Sequence, residues 1–218
     1  MEEFKPKRKR GRPSENTKTN REQLLQIALS HFALNSFEGT NIRALSKEVG
    51  VASSLFYYHF TDKLGLWKAA LQLVAQKLGG AMNAEINSIQ QLDKLDFLKV
   101  WMRELIYFSA QNPEFHQIIS YELAHPSPRA DWLLEEVLQP LHHDFQKQMQ
   151  GLQQEGLIKE LPLAHFISIA IGAANIFFTQ AYQMEKLYGV KVFEAAAINE
   201  HVNVVLEIFL NGIIKTSK

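Results

Sequence analysis

Apolar positions recur at helical spacing along most of this chain, and polar or helix-breaking residues divide them into a series of helices. Leu24, Leu25, Ile27, Ala28, Leu29 and Phe32 make the first apolar face. Thr19, with Glu22 three residues on, has the form of a capping box at its start. Asn35-Ser36 should end it, with Phe37 tucked beneath. Ile42, Leu45 and Val49 then fall at i, i+3 and i+7 of a second helix, capped by Thr40 or Asn41. Gly50 should close that helix, because the tight turn that follows needs a residue tolerant of positive φ. A short third helix has Val51, Phe56 and Phe60 to pack inward, which leaves Ser53, Ser54, Tyr57, Tyr58 and His59 outside. This is the pattern of a helix-turn-helix.

Beyond Asp62, a further cap, Leu66, Trp67, Ala70, Leu71, Val74 and Leu78 predict a longer helix that stops near Gly79-Gly80. Residues 80–93 carry no decisive pattern. Leu95, Leu98, Met102, Leu105 and Ile106 form the next apolar stripe, widened by Trp101 and Phe108. Pro113 opens a short helix, and the two prolines of His125-Pro126-Ser127-Pro128 impose a break. A helix from Arg129 through Met149 should bend at Pro140. The most apolar stretch follows from Leu161, but His165, Ser168, Asn175 and Gln180 interrupt it, so it predicts a buried helix rather than a membrane span. The last helix, residues 193–214, has apolar residues on more than one face, Val204 and Ile208 among them, and needs a second partner. The small patch Gly172-Ala173-Ala174 would let another helix approach closely, so these last two helices predict a homodimer built as a four-helix bundle across a two-fold axis.

Composition adds an asymmetry. The 218 residues have zero formal net charge, yet seven cations against three carboxylates leave +4 on residues 1–20, and sixteen against twenty leave −4 on the rest. A basic arm on an acidic body suits a polyanion such as double-stranded DNA. Within the arm, Arg10-Gly11-Arg12-Pro13 resembles the core of an AT-hook, in which two arginines lie along a narrow minor groove. There is no cysteine and no apolar leader, which fits a reducing, cytoplasmic setting. The expected organisation is a basic arm (1–18), a helix-turn-helix unit (19–65) and a larger helical unit (66–218), all-α throughout.

Thr40, Arg43, Gly50, Val51, Tyr57, His59, Phe60 and Lys63, with Phe56 where Leu is usual, together make the chain resemble the tetracycline-repressor (TetR) family of transcriptional regulators. The resemblance is close over residues 21–70. It implies an N-terminal three-helix DNA-binding domain and a larger C-terminal domain for effector binding and dimerisation. It departs from the pattern at Ala52, where Ser usually caps the third helix, at Ser46 for Ala, and at Ser54 for a frequent Gly. By resemblance and by chemistry, Tyr57, His59 and Lys63 are expected on phosphates, with Thr40 beside them. Arg43, Ser53, Ser54 and Leu55 are expected near base edges, where Arg can fork onto guanine and Leu can meet a thymine methyl.

Enzyme signatures are missing: there is no HExxH, no Gly-rich phosphate loop and no GxSxG elbow. Adjacent His142-His143-Asp144 diverge around a helix and cannot make a tight ligand set alone, so no metal and no cofactor are expected. A small-molecule effector would find Trp101, Phe115, Trp132, Phe145 and Phe178 as apolar walls and His116, Tyr121, His125, Asn175 and Tyr182 as polar groups. The function expected is a ligand-responsive, homodimeric repressor on a near-palindromic operator. The alternative is a DNA-organising or protein-interaction factor with the same fold, a filled core and no effector.

Overall fold

The computed structural model describes residues 21–88 and 94–214, and helices follow one another through them. They are α1 (Arg21–Gly39), α2 (Ile42–Val49), α3 (Ser53–Phe60), α4 (Lys63–Ser88), α5 (Lys94–Gln111), α6 (Pro113–Glu122), α7 (Pro128–Leu133), α8 (Gln139–Gln154), α9 (Leu163–Thr179), α10 (Ala181–Tyr188) and α11 (Ala195–Ile213). A π-helical turn, Leu134–Leu138, joins α7 to α8. Among the described residues the only extended pairing is one bridge between Ile158 and Ile214.

Local chemistry sets the boundaries. Ser36 leaves the helical region at φ 60°, ψ 174°, which turns the chain out of α1 where Asn35-Ser36 predicted its end. Asn41, not Thr40, caps α2: its side chain accepts from the N–H groups of Arg43 and Ala44 at 2.8 and 3.4 Å. Gly50 closes α2 at φ 72°. Asp62 accepts from the Gly65 N–H at 2.7 Å and so caps α4. The capping box predicted at Thr19 lies outside the described residues.

Three expectations need correction. First, α4 does not stop at Gly79-Gly80 but runs on to Ser88. Each glycine costs a helix about 1 kcal/mol relative to alanine, and the buried run of Leu71, Val74, Ala75 and Leu78 offsets that cost, with Gly79 lying against Leu141. Second, the helix predicted from Arg129 through Met149 is not one regular α-helix but α7, a π-helical turn and α8, with helical dihedrals kept across the joins and Pro140 just after the turn. It falls in the first turn of α8, where its missing N–H breaks no bond, and the π-helical turn just before absorbs the change. Third, the apolar stretch from Leu161 is two helices, with α10 bent 70° from α9. Only one face of α9 is buried, by Phe166, Ala170, Ala174 and Phe178, while Ile169 and Ile176 remain 62% and 49% exposed.

The apolar residues gather into two cores. The first joins α1, α2, α3 and α4 to Phe108, Phe115, Ile118, Leu133 and Val137, so the core under the helix-turn-helix continues into α6 and α7. The second lies among α5, α8, α9 and α11, around Trp101, Ile106, Phe145, Phe166 and Phe178. No single helix among the described residues is long and apolar enough to cross a membrane, although α9 and α10 pass that test together as a bent pair.

Candidate nucleic-acid interface

The short helices α2 and α3 are held by their inner faces. Ile42, Leu45, Phe56 and Phe60 are buried, and the Arg21 guanidinium lies over the Phe60 ring at 5.2 Å. Ser46, one of the departures from the family pattern, is buried without penalty because its hydroxyl donates to the Ile42 carbonyl at 2.6 Å. The carbonyl of Ser46 in turn accepts from the Val51 N–H at 3.0 Å, which closes the turn. Ala52 offers α3 no side-chain cap, as its methyl group dictates. At the far end of α3, Thr61 has φ 60° and the chain doubles back so tightly that a Cβ at Gly65 would collide with the Phe60 carbonyl.

The outer face contains Arg43 and Ser54, both exposed, with Tyr57 at 50% and Tyr58 at 83% exposure. Ser53, Leu55 and His59 are half-buried. Leu55 packs against the first core, and the His59 ring is edge-on to Tyr58 at 5.0 Å. Exposed phenols have an apolar body and a polar tip, and so suit a surface that is part sugar or methyl and part phosphate. Arg10 and Arg12 lie outside the described residues.

Thr40 and Lys63 are placed differently from the expectation. Thr40 is buried, and its hydroxyl points at the carbonyls of Ser36 and His31, at 2.8 and 3.2 Å, rather than outward. Its single proton is engaged inside the protein, so Thr40 holds the α1–α2 turn instead of offering a surface donor. The Lys63 ammonium donates to the carbonyls of Thr40 and Glu38 at 3.2 and 3.3 Å and stands 4.5 Å above the Phe37 ring. Two of its three protons are thus used on the turn, and the third is left for an outside acceptor.

Sequence patterns gave no hint of the group that completes this junction. Arg129 of α7 donates from one terminal nitrogen to Glu38 at 2.7 Å and from Nε to Glu122 at 2.9 Å, with its guanidinium 4.4 Å from the Phe37 ring centre. Burial pulls the Arg129 pKa down, but the bonds and charges of Glu122 and Glu38 outweigh it and hold the pKa above its ordinary value. Glu38 is held below the usual carboxylate value, first by a backbone N–H and then by Arg129 and Lys63. Ninety-one residues separate Glu38 from Arg129, so no local pattern links them.

The ten residues predicted to surround an effector do not form one site. Phe115 belongs to the first core and Trp132 packs on it, whereas Trp101, Phe145 and Phe178 belong to the second. Trp101 stacks on Phe145 at 3.9 Å, so those walls fill each other's space. His116 is buried between Ser109 and Asn175. His125 is exposed, and Tyr121 and Tyr182 are 60% and 75% exposed. A helical pattern says which face of each helix is apolar but not which helix fills it. Tyr121 instead lines an open groove of about 660 Å³ between α1 and α6, beside Phe32, Ser36, Phe37 and Glu122. Among the described residues no group of three or more His, Asp or Glu is placed to hold a metal ion.

This arrangement has counterparts among known proteins. Residues 24–70 match the family model described as bacterial regulatory proteins, tetR family. No curated protein sequence matches. Among solved structures, one described as a tetR family transcription regulator from Shewanella sp. PV-4 superposes with a TM-score of 0.64 at 17% identity, covering 90% of this chain and 100% of that one. The ketosteroid transcriptional regulator KstR2 of Mycobacterium tuberculosis gives 0.62 at 16% identity, covering 90% and 95%. A Clostridium perfringens chain described as a fatty acid metabolism regulator gives 0.68 at 15%, covering 88% and 99%. Identities this low speak for the fold, and the family model speaks for the helix-turn-helix. Residues 24–70 therefore match the helix-turn-helix domain of the tetR family of bacterial regulatory proteins, and the all-α fold of the described chain is similar to that of solved regulators.

Proposed function

We propose that this protein is a sequence-specific, homodimeric repressor that reads a near-palindromic operator with α3. The observation that carries the proposal is the outer face of α2 and α3, where Arg43, Ser54, Tyr57 and Tyr58 stand exposed on helices whose inner faces are buried. Tyr57, His59 and the free proton of Lys63 would fix register on phosphates. Arg43, Ser53, Ser54 and Leu55 would meet base edges, and Arg10 and Arg12 would add charge or minor-groove contact. Dimerisation through α9 and α11 is supported by the exposed Ile169, Ile176, Val204 and Ile208, a face that a second copy would cover. Selecting random DNA with the purified protein tests this reading. The expected product is an inverted repeat whose half-sites lie about 34–36 Å apart or slightly more. Recovery of a single unrepeated site, or of no site at all, would contradict it.

A ligand-responsive switch would require an effector that binds two forms of the dimer unequally. The stacking of Trp101 on Phe145 favours a second reading, in which the same head sits on a filled core and no effector acts. DNA affinity measured across a library of metabolites separates the two, because only a switch yields a compound that shifts it.

A further inference from the structure

We infer that Arg129 is a positioning residue for the DNA-facing surface, acting through Glu38 and Phe37 on the turn that Lys63 and Thr40 share. The inference rests on the DNA-binding function proposed above. Its ground is the geometry of the fork. Glu122 is a buried carboxylate on α6, with a side chain only 3% exposed, and Arg129 neutralises it. That duty needs one arm of the guanidinium. The other arm reaches out of the body to Glu38, whose own side chain is 60% exposed and needs no neutralising partner. A fork that served stability alone would gain little from that second bond, because exposed ion pairs contribute little.

What the second arm does is fix the α1–α2 turn. Ser36 swings the chain out of α1, and the next residue, Phe37, takes cations from both sides of the junction: Arg129 at 4.4 Å from α7 and Lys63 at 4.5 Å from α4. Glu38 joins the same two residues, since its carboxylate accepts from Arg129 and its carbonyl from Lys63. Lys63 also binds the Thr40 carbonyl, immediately before the Asn41 cap of α2. The path from body to reading head is therefore a chain of direct contacts: Glu122, Arg129, Glu38 with Phe37, Lys63, Thr40. The Glu38 carboxylate ties the turn to α7, and the Glu38 carbonyl on that turn helps aim the Lys63 ammonium. Without the carboxylate the carbonyl remains, but the turn that presents it loses its tie to Arg129.

The test uses the full chain and a duplex recovered from random DNA by the wild-type protein. Affinity is measured at several salt concentrations for wild type, Glu38→Ala, Lys63→Ala and the double variant. Glu38→Ala should weaken binding about fivefold while the thermal midpoint stays near wild type, because Glu38 is exposed and the Arg129–Glu122 pair survives. Lys63→Ala should then cost less in the Glu38→Ala background than in wild type. Arg129→Lys, which retains a charge for Glu122 but loses the fork, should reproduce the loss seen with Glu38→Ala. Unchanged affinity in Glu38→Ala or Arg129→Lys, or penalties from Glu38→Ala and Lys63→Ala that multiply independently, would overturn the inference while leaving DNA binding intact. If the wild-type chain recovers no duplex, the functional reading and this inference fall together.

Discussion

Acid should destabilise this protein in part through a buried side chain, His116. The ring is 7% exposed and edge-on to Phe108 and Phe115. The Ser109 hydroxyl donates to the Leu105 carbonyl at 2.8 Å, so it accepts from His116 Nε2 at 2.9 Å. Nδ1 is then the acceptor facing the Asn175 amide at 3.5 Å. The neutral ring is satisfied, and a second proton would have to sit on Nδ1 against a donor. Burial lowers the pKa from 6.5 to about 4. An unfolded chain would take up that proton near pH 6.5 and the folded one only near pH 4, so between those values the unfolded state binds more protons. Stability is therefore full above about pH 6.5, falls as pH drops, and has lost the whole contribution below about pH 4. At about 1.4 kcal/mol per unit, the loss is about 3 kcal/mol. Urea midpoints for wild type and His116→Gln, taken from pH 7 to pH 4 at constant ionic strength, isolate it. Burial also lowers His142 and His201, but they titrate in both proteins and cancel in the difference. The wild-type stability should fall more steeply than that of the variant. Parallel curves would refute the argument.

Four other perturbations probe the head and the assembly. Gly65→Ala forces a Cβ onto the Phe60 carbonyl, so it should cost about 1–3 kcal/mol of stability and weaken DNA binding by moving the end of α3, read by thermal melting and by titration with the selected duplex. Tyr57→Phe should weaken all duplexes alike, whereas Arg43→Ala should relax preference at one position of the site, about 1–3 kcal/mol for a lost fork onto guanine. Competition among duplex variants distinguishes them. Ile208→Glu places a charge on a side chain that is 66% exposed in the single chain. It should halve the mass seen by sedimentation while leaving helical content unchanged.

The parts legible in the sequence are those whose cause is local. Asn41, Gly50 and Asp62 set helix ends through bonds or dihedrals within a few residues of themselves; Gly50 and Asp62 stand where the pattern placed them, and Asn41 is one of the two caps it offered. Phe56 and Phe60 are buried because a two-turn helix has only one face to give the core. Thr40 misled because a polar residue before a helix looks exposed, and only the turn at Ser36 brings it under the carbonyls that bury it. The aromatic residues of the body misled for a different reason. Trp101, Phe145 and Phe178 share a core with one another and not with Phe115, a division that depends on how α5, α6, α8 and α9 are stacked and on nothing within any one of them.

The same distinction bears on how the body could act on the head. The helix-turn-helix and the helices behind it share one continuous apolar core, so α1 and α4 cannot swing freely against α6 and α7. Motion at this junction has to be a slip, and the groups that resist it are directional. Arg129 on α7 and Lys63 on α4 meet at Phe37 and Glu38, with hydrogen bonds of 2.7 and 3.3 Å to Glu38. A movement that carries α4 and α7 together keeps both bonds and takes the α1–α2 turn along with it. A slip of about 1–2 Å between them, the size of ordinary helix shifts, breaks at least one, because such bonds fail a few tenths of an ångström beyond their best length. Apolar contacts in the shared core are non-directional and can be remade after such a slip. On the proposed function, the polar fork is therefore the part of the junction that would distinguish one position of α2 and α3 from another.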